Sequence, residues 1–208
     1  VIQSQIVRGE FQPLYSEVGF GPKDDIPAIV IDLENGREVN INGRIDRIDV
    51  LKLEDRNYIR IIDYKSGMKD LNLTEIIHGL QLQLLVYLDV ILRNSKRFLA
   101  GETLPGAVLY YRIHRPTIEN GVELSDEELE TKILKELRLK GLILDDARVV
   151  RTMDKDMMDV SLVIHAKLKG DEVKSDSRNQ AALIVSNQQF DQLREYVGQT
   201  IKRISLAL

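Results

Sequence analysis

Between Phe11 and Lys65 the sequence consists of short β-rich runs separated by turn residues, and no other stretch restricts the fold as strongly. The runs Phe11–Phe20, Ala28–Leu33, Val39–Leu53 and Tyr58–Lys65 are divided by Gly21-Pro22, Asn35-Gly36 and Glu54-Asp55-Arg56-Asn57. An Asn-Gly pair supplies the two positive φ values of a type I′ turn, so the runs on either side of Asn35-Gly36 are expected to be antiparallel neighbours. The same logic pairs Val39–Leu53 with Tyr58–Lys65. A meander of this kind must cover its apolar face with another layer.

That layer follows directly. After Gly67 the apolar period changes, and a helix is predicted from about Asn72 to Leu92, with Asn72 and Glu75 at capping-box spacing. Its apolar residues, from Ile76 to Leu92, occupy more than one face, as in a helix buried on most sides. A loop with Gly101, Pro105 and Gly106 leads to a predicted strand, Ala107–Ile113, which Pro116 helps to end. Ser125 and Glu128 open a second helix, with Ile133, Leu134 and Leu137 on its apolar side. Residues 141–177 are mixed, with a strand expected at Val160–Leu168, and read as an edge or accessory region. A last helix from Ser186, capped with Gln189, repeats apolar residues at Phe190, Leu193, Val197, Ile201, Ile204 and Leu208 and needs a partner surface. The expected fold is α/β, a mixed central sheet flanked by helices with a C-terminal accessory region. With 208 residues, 43% of them hydrophobic, the chain can bury one substantial core.

Composition removes several function classes. The net charge of -4 provides no global field for drawing in nucleic acid, so a polyanion must meet a local patch. With no Cys, a disulfide scaffold, a Cys-ligated zinc or iron-sulfur site and thiol catalysis are excluded within these residues. No run of about 18 apolar residues and no signal peptide occurs, so the expectation is a cytoplasmic protein with no membrane partner. Val1–Glu10 lacks an initiator Met and reads as the tail of a helix, and the last helix stops on Leu206-Ala207-Leu208 without a Gly or Asn cap. Both ends read as those of a fragment of a longer protein.

The chemistry lies in the run Tyr58–Lys65. Alternation puts Ile59, Ile61, Asp63 and Lys65 on one face and Tyr58, Arg60, Ile62 and Tyr64 on the other. Asp46 on the neighbouring strand reaches the same place across the hairpin. Two carboxylates and a lysine at a strand end suit a magnesium-dependent phosphodiester hydrolase. Asp46 and Asp63, with the backbone carbonyl of Tyr64, would be the protein's share of an octahedral ion that keeps several waters. Lys65 would orient the attacking water or stabilise charge on the phosphorane. The competing interpretation is a solvated strand-end ion pair. Gly43, which would leave its strand open to approach, and the polar pair Gln83 and Tyr87, one turn apart in an apolar helix, favour a site.

Gly43-Arg44-Ile45-Asp46-Arg47-Ile48-Asp49, then Ile61-Ile62-Asp63-Tyr64-Lys65-Ser66-Gly67, then Gln83-Leu84-Leu85-Val86-Tyr87 resemble the ordered motifs of RecB-like nucleases in the PD-(D/E)xK superfamily. The stretch Leu71–Asp89 resembles more narrowly the B subunits of AddAB-type helicase-nucleases. The resemblance implies a restriction-endonuclease-like nuclease core over 1–113, with 114–208 as a C-terminal extension of the same domain. It implies Asp46 and Asp63 as metal ligands, Lys65 as the catalytic lysine, and Gln83 and Tyr87 as helix residues that steady the site or touch DNA. Glu17 falls where the family often has a strand glutamate, and a simple strand-edge charge is the alternative. The implied activity is magnesium-dependent exodeoxyribonuclease action, with manganese as a second possible ion, in a helicase-nuclease that repairs double-strand breaks by recombination with an A-type partner protein. Two family features have no counterpart in these residues: an upstream helix with an active-site histidine, and the cysteines of an iron-sulfur cluster. His78, His114 and His165 read as ordinary histidines.

For DNA, Arg44, Arg47, Arg56, Arg60 and Lys69 form a positive fringe around the site, unless they pair with Asp49, Asp55 and Asp70. No Walker-type Gly-Lys-Ser or Gly-Lys-Thr loop occurs, so strand separation driven by ATP must come from elsewhere. The rival assignments are a catalytically silent scaffold that binds DNA or a partner protein, and another nuclease of the superfamily, phage-exonuclease-like or CRISPR-associated.

Overall fold

A computed structural model describes residues 7–33, 36–67, 72–114, 116, 125–176 and 182–207. Its core is a mixed six-stranded sheet in the order β1-β4-β5-β6-β7-β10. The strands are β1 (Gln12–Phe20), β4 (Gly43–Leu53), β5 (Arg56–Lys65), β6 (Glu102–Arg112), β7 (Lys140–Leu144) and β10 (Ala182–Val185). Two hairpins stand outside it: β2 (Ile29–Asp32) with β3 (Glu38–Ile41), and β8 (Ala166–Lys169) with β9 (Glu172–Ser175).

The meander forms with two changes: Arg56 and Asn57, expected in a turn, already belong to β5, so that Leu53 pairs with Arg56, and one expected strand divides in two. β2 and β3 are antiparallel, Asp32 opposite Glu38, around Gly36 at φ 71°. Asn35 lies outside the described residues. The single strand expected over Val39–Leu53 divides at Asn42 into β3 and β4, which join different sheets. β4 pairs antiparallel with both β1 and β5.

β5 runs parallel to β6, so the chain must cross over between them, and helices α1 (Leu73–Ile77) and α2 (Gln83–Asn94) make that crossing. The continuous helix expected over Asn72–Leu92 is broken. The backbone turns at Gly79, φ 77°, a conformation that ends a helix and favours glycine. Gln81 holds the break closed, accepting from the Asn72 N–H at 3.0 Å and donating to Glu75. The Asn72 side chain caps α1 through the Thr74 N–H, while the Glu75 carboxylate goes to Gln81. Because α2 returns antiparallel to β5, its first turn lies over the C-terminal end of β5. Residues Leu84–Ile91 of α2 are all buried.

The C-terminal half contributes more to the sheet than the sequence suggests. β7 pairs antiparallel with β6, and β10 parallel with β7 as the far edge. The strand expected over Val160–Leu168 is only β8, starting at Ala166, joined by a bridge from Val160 to Lys167. Helix α4 (Ala147–Met153), which the sequence pattern does not announce, fully buries Val149, Val150 and Met153. Both Ser-initiated helices, α3 (Asp126–Glu136) and α5 (Asn187–Leu206), open with reciprocal capping boxes as expected. α5 packs on α2, and Arg194 binds Asp89 at 2.7 Å.

Candidate active site

β5 is the central element: Asn57 through Asp63 are all buried, so both of its faces are covered. The two faces hold different chemistry. On one, Asp49 is fully buried beneath Arg47 and Arg60: it accepts from Arg47 Nε at 2.7 Å and from Arg60 Nε and Nη2 at 2.9 and 2.6 Å. Arg60, 0% exposed, also stacks 4.5 Å from the centre of the Phe11 ring. Burial drives the Arg60 pKa below its ordinary value against the pull of Asp49. Burial acts the same way on Arg47, but Asp49 and the Tyr64 hydroxyl outweigh it and leave its pKa raised.

This cluster corrects the expected phosphate fringe. Arg47 is 4% exposed and neutralised by Asp49, and Arg60 is sealed inside, so neither presents charge to a ligand. Arg56 is engaged with Glu102 at 2.7 Å. Arg44 keeps an exposed head, 3.8 Å from Glu17. Glu17 is itself exposed, with φ 52°, in keeping with a strand-edge charge. Lys69 and Asp70 lie outside the described residues.

The opposite face carries the expected constellation. Asp63 is 2% exposed, and its Oδ2 lies 2.6 Å from Lys65 Nζ. Lys65 also donates to Gln83 Oε1 at 3.1 Å, and Gln83 Nε2 donates to the Tyr87 hydroxyl at 2.6 Å. The four side chains form one connected polar chain from β5 to the first turn of α2. On β4, the register that sets Arg47 opposite Ile62 places Asp46, one step on, opposite Asp63 and on the same face. One Asp46 oxygen, Oδ2, is held by the Tyr64 N–H at 2.8 Å.

Gly43 serves packing rather than access. A Cβ there would meet the Phe20 ring at 3.0 Å, and that ring stands edge-on to Tyr87 with centroids 5.8 Å apart. The missing side chain therefore lets Phe20 brace the tyrosine that ends the polar chain.

One residue of the site is not signalled by the sequence. Tyr110 on β6 is in register with Asp63, and Lys140 on β7 is in register with Tyr110. Asp46, Asp63, Tyr110 and Lys140 thus form one rung across four strands. Lys65 Nζ lies 5.8 Å from the centre of the Tyr110 ring. Burial, reinforced by Asp63, pushes the Tyr110 hydroxyl up to about 12. Alternation within the strand would have given its face, but only the strand order gives its neighbours.

Among the described residues no group of three or more His, Asp and Glu side chains is placed to hold a metal ion. The register places the Asp46 and Asp63 carboxylates on this face, and the Glu75 carboxylate is near enough to act on Tyr110.

Comparison with known proteins agrees with this geometry. The family model of the PD-(D/E)XK nuclease superfamily matches residues 2–206. The chain belongs to this superfamily. Its six-stranded mixed sheet, flanked by helices, is the superfamily core, and the face bearing Asp63 and Lys65 is its candidate active site. Among similar curated proteins is the B subunit of the ATP-dependent helicase/deoxyribonuclease of Acetivibrio thermocellus, 41% identical over 204 residues, covering 98% of this chain and 18% of the relative. Its counterpart of the same name in Clostridium perfringens strain SM101 is 41% identical over 206 residues, 98% of this chain and 17% of the relative. That of Clostridium botulinum strain Langeland is 42% identical over 206 residues, 98% and 18%. This chain thus spans less than a fifth of the length of these relatives.

Proposed function

We propose that this chain hydrolyses DNA phosphodiester bonds as an exodeoxyribonuclease, with magnesium as the natural ion and manganese as a substitute, and that it is the nuclease domain of a cytoplasmic helicase-nuclease. The larger assembly would pair it with an A-type partner protein and act at double-strand breaks in recombination repair, in line with the helicase/deoxyribonuclease names of its relatives. The observation that carries the proposal is the connected chain Asp63–Lys65–Gln83–Tyr87 facing Asp46 at the C-terminal end of β5.

The residues fit a magnesium ion. Two carboxylates suffice for an ion that keeps several waters and binds substrate phosphate. Asp46 has one oxygen fixed by the Tyr64 N–H, which leaves the other to turn towards an ion, and the Tyr64 carbonyl belongs to the residue that follows Asp63. When bound there, the metal would polarise the scissile phosphate and acidify a water. The protein's own groups supply the rest. Asp63, buried and aligned by Lys65, keeps a fixed orientation. Lys65, a quarter exposed, is held by Gln83 at the edge of the site, where its ammonium can orient a water or meet charge building on the phosphate. Tyr87 and Phe20 lock Gln83 in turn.

The 208 residues contain no Cys, so an iron-sulfur cluster of the kind found in the wider family has no ligand among them. The proposal is tested by comparing Asp63→Ala with wild type for cleavage of linear DNA in magnesium and in EDTA. Loss of cleavage in the variant and in EDTA is expected. Equal cleavage by wild type and Asp63→Ala removes this site from the mechanism.

A further inference from the structure

Beyond the catalytic rung the same face of the sheet opens into a cleft of about 350 Å³. Lys65 and Tyr110 line its near side, so it is continuous with the candidate active site. Arg112, in register with Lys65, and Lys140, in register with Tyr110, form its floor. The end of α3 closes the far side with Lys135, Glu136 and Arg138.

The charges are unequal. Glu136 is the single carboxylate of the lining, against Lys65, Arg112, Lys135, Arg138 and Lys140. Arg138 is already committed: it is 11% exposed and bonded to Asp176 and to the Ser161 carbonyl. Arg112 and Lys135 are exposed, and among the described residues neither forms an ion pair. Arg112 on the floor and Lys135 on the far side, neither in an ion pair among the described residues, stand with Lys65 of the polar chain where an anion extending past the reacting phosphate would lie. Of the rings in the lining, Tyr110 is 2% exposed and His165 lies against Asp176 at 3.6 Å, which leaves the half-buried His114 imidazole as the aromatic face available to a base, against several cations available to phosphates. The cleft suits a backbone more than a base. Its volume is at the small end for a ligand pocket and admits one strand rather than a duplex.

We infer that this cleft grips, without regard to sequence, the sugar-phosphate backbone of a single DNA strand next to the phosphate at Asp63 and Lys65, with Arg112 and Lys135 as its principal phosphate contacts. β5 and β7 are two strand spacings apart, about 10 Å, so Lys140 lies within reach of phosphates neighbouring the cleaved one. The inference rests on the proposed nuclease function and adds the direction in which the strand leaves the reacting centre, from β5 towards β7. It also moves the phosphate grip from Arg47 on β4 and Arg60 on β5, which are buried, to β6 and α3.

The test is binding of a fluorescein-labelled single strand to the 208-residue chain, by anisotropy in EDTA so that nothing is cut, across a salt series. Each phosphate contact on a single strand contributes about 0.7 to the slope of log affinity against log salt. Arg112→Gln with Lys135→Gln should therefore lower the slope by about 1.4. Between about 50 and 200 mM salt the wild type should then lose about 7-fold more affinity than the variant. Lys52→Gln with Lys96→Gln, an equal charge change at exposed positions away from the cleft, should leave the slope at the wild-type value. A double variant that binds like wild type at every salt, or a control pair that lowers the slope equally, overturns the inference, as does absence of binding by wild type. The nuclease proposal has its own readout in Asp63→Ala cleavage, so either can fail while the other stands.

Discussion

Asp49→Asn isolates the structural half of β4 and β5 from the chemical half. The Asp49 carboxylate receives three guanidinium N–H bonds, 2.6 to 2.9 Å long, and is fully buried with Arg60. The carboxamide keeps the shape but loses the charge, and its NH₂ group faces donors. Two guanidinium groups are then left in the interior with no counter-charge. Breaking a buried pair in this way costs about 3–5 kcal/mol, a large part of the roughly 5–15 kcal/mol that holds a domain together. With a urea m-value of about 2–3 kcal/mol per molar, the unfolding midpoint should fall by about 1–2.5 M. Far-UV circular dichroism is the suitable probe, because the chain has no Trp. A shift below about 0.5 M at unchanged m would refute the account of Asp49 as the anchor of a buried ion cluster. Where the variant remains folded, cleavage should persist, since Asp46 and Asp63 occupy the other face. Replacing Arg47, Asp49 and Arg60 together by apolar residues should recover much of the loss, as buried ion clusters often allow.

Three other outcomes follow from the same geometry. Gln83→Ala removes the acceptor that holds Lys65 at 3.1 Å and should lower kcat about 10- to 100-fold with little change in KM, measured on linear DNA. Tyr110 has its pKa raised to about 12 by burial and by Asp63. Its unfolded value is near 10. Its contribution to stability is therefore complete below about pH 10 and lost as pH rises towards 12, about 2–3 kcal/mol in all. Urea midpoints should fall more steeply through this alkaline range in wild type than in Tyr110→Phe, and parallel curves would count against the burial argument. Gly141→Ala would place a Cβ 2.1 Å from the Val108 carbonyl oxygen at φ 149°, so β6–β7 pairing should fail and the protein should be insoluble or lose more than about 3 kcal/mol.

The elements legible in the sequence are those set by interactions a few residues apart. The alternation that put Asp63 and Lys65 on one face survives in the fold as a 2.6 Å contact. The Ser125 and Ser186 capping boxes form with both bonds, because each needs only residues three apart. Gln83 and Tyr87, four apart on α2, meet for the same reason. The helix break was less legible: Gly79 sits in an apolar run that satisfies a helical period, and the turn there depends on Gln81 reaching Glu75 and Asn72.

By itself, then, the sequence determined the run of hairpins, the shared face of Asp63 and Lys65, and the family to which such motifs belong, while the register that sets Asp46 opposite Asp63 came with the fold. Turn chemistry and side-chain alternation are local sterics that the chain carries wherever it goes. Only the tertiary structure decided which charges are buried. Arg60 and Arg44 are both strand arginines, yet Phe11 and Asp49 enclose one while the other remains in solvent. It alone brought Tyr110, Arg112, Lys135 and Lys140 beside Lys65. Their meeting requires the crossover from β5 to a parallel β6 and the return of β7 against it. The free energy that selects this strand order comes from packing across the whole sheet, and no short window of residues contains it.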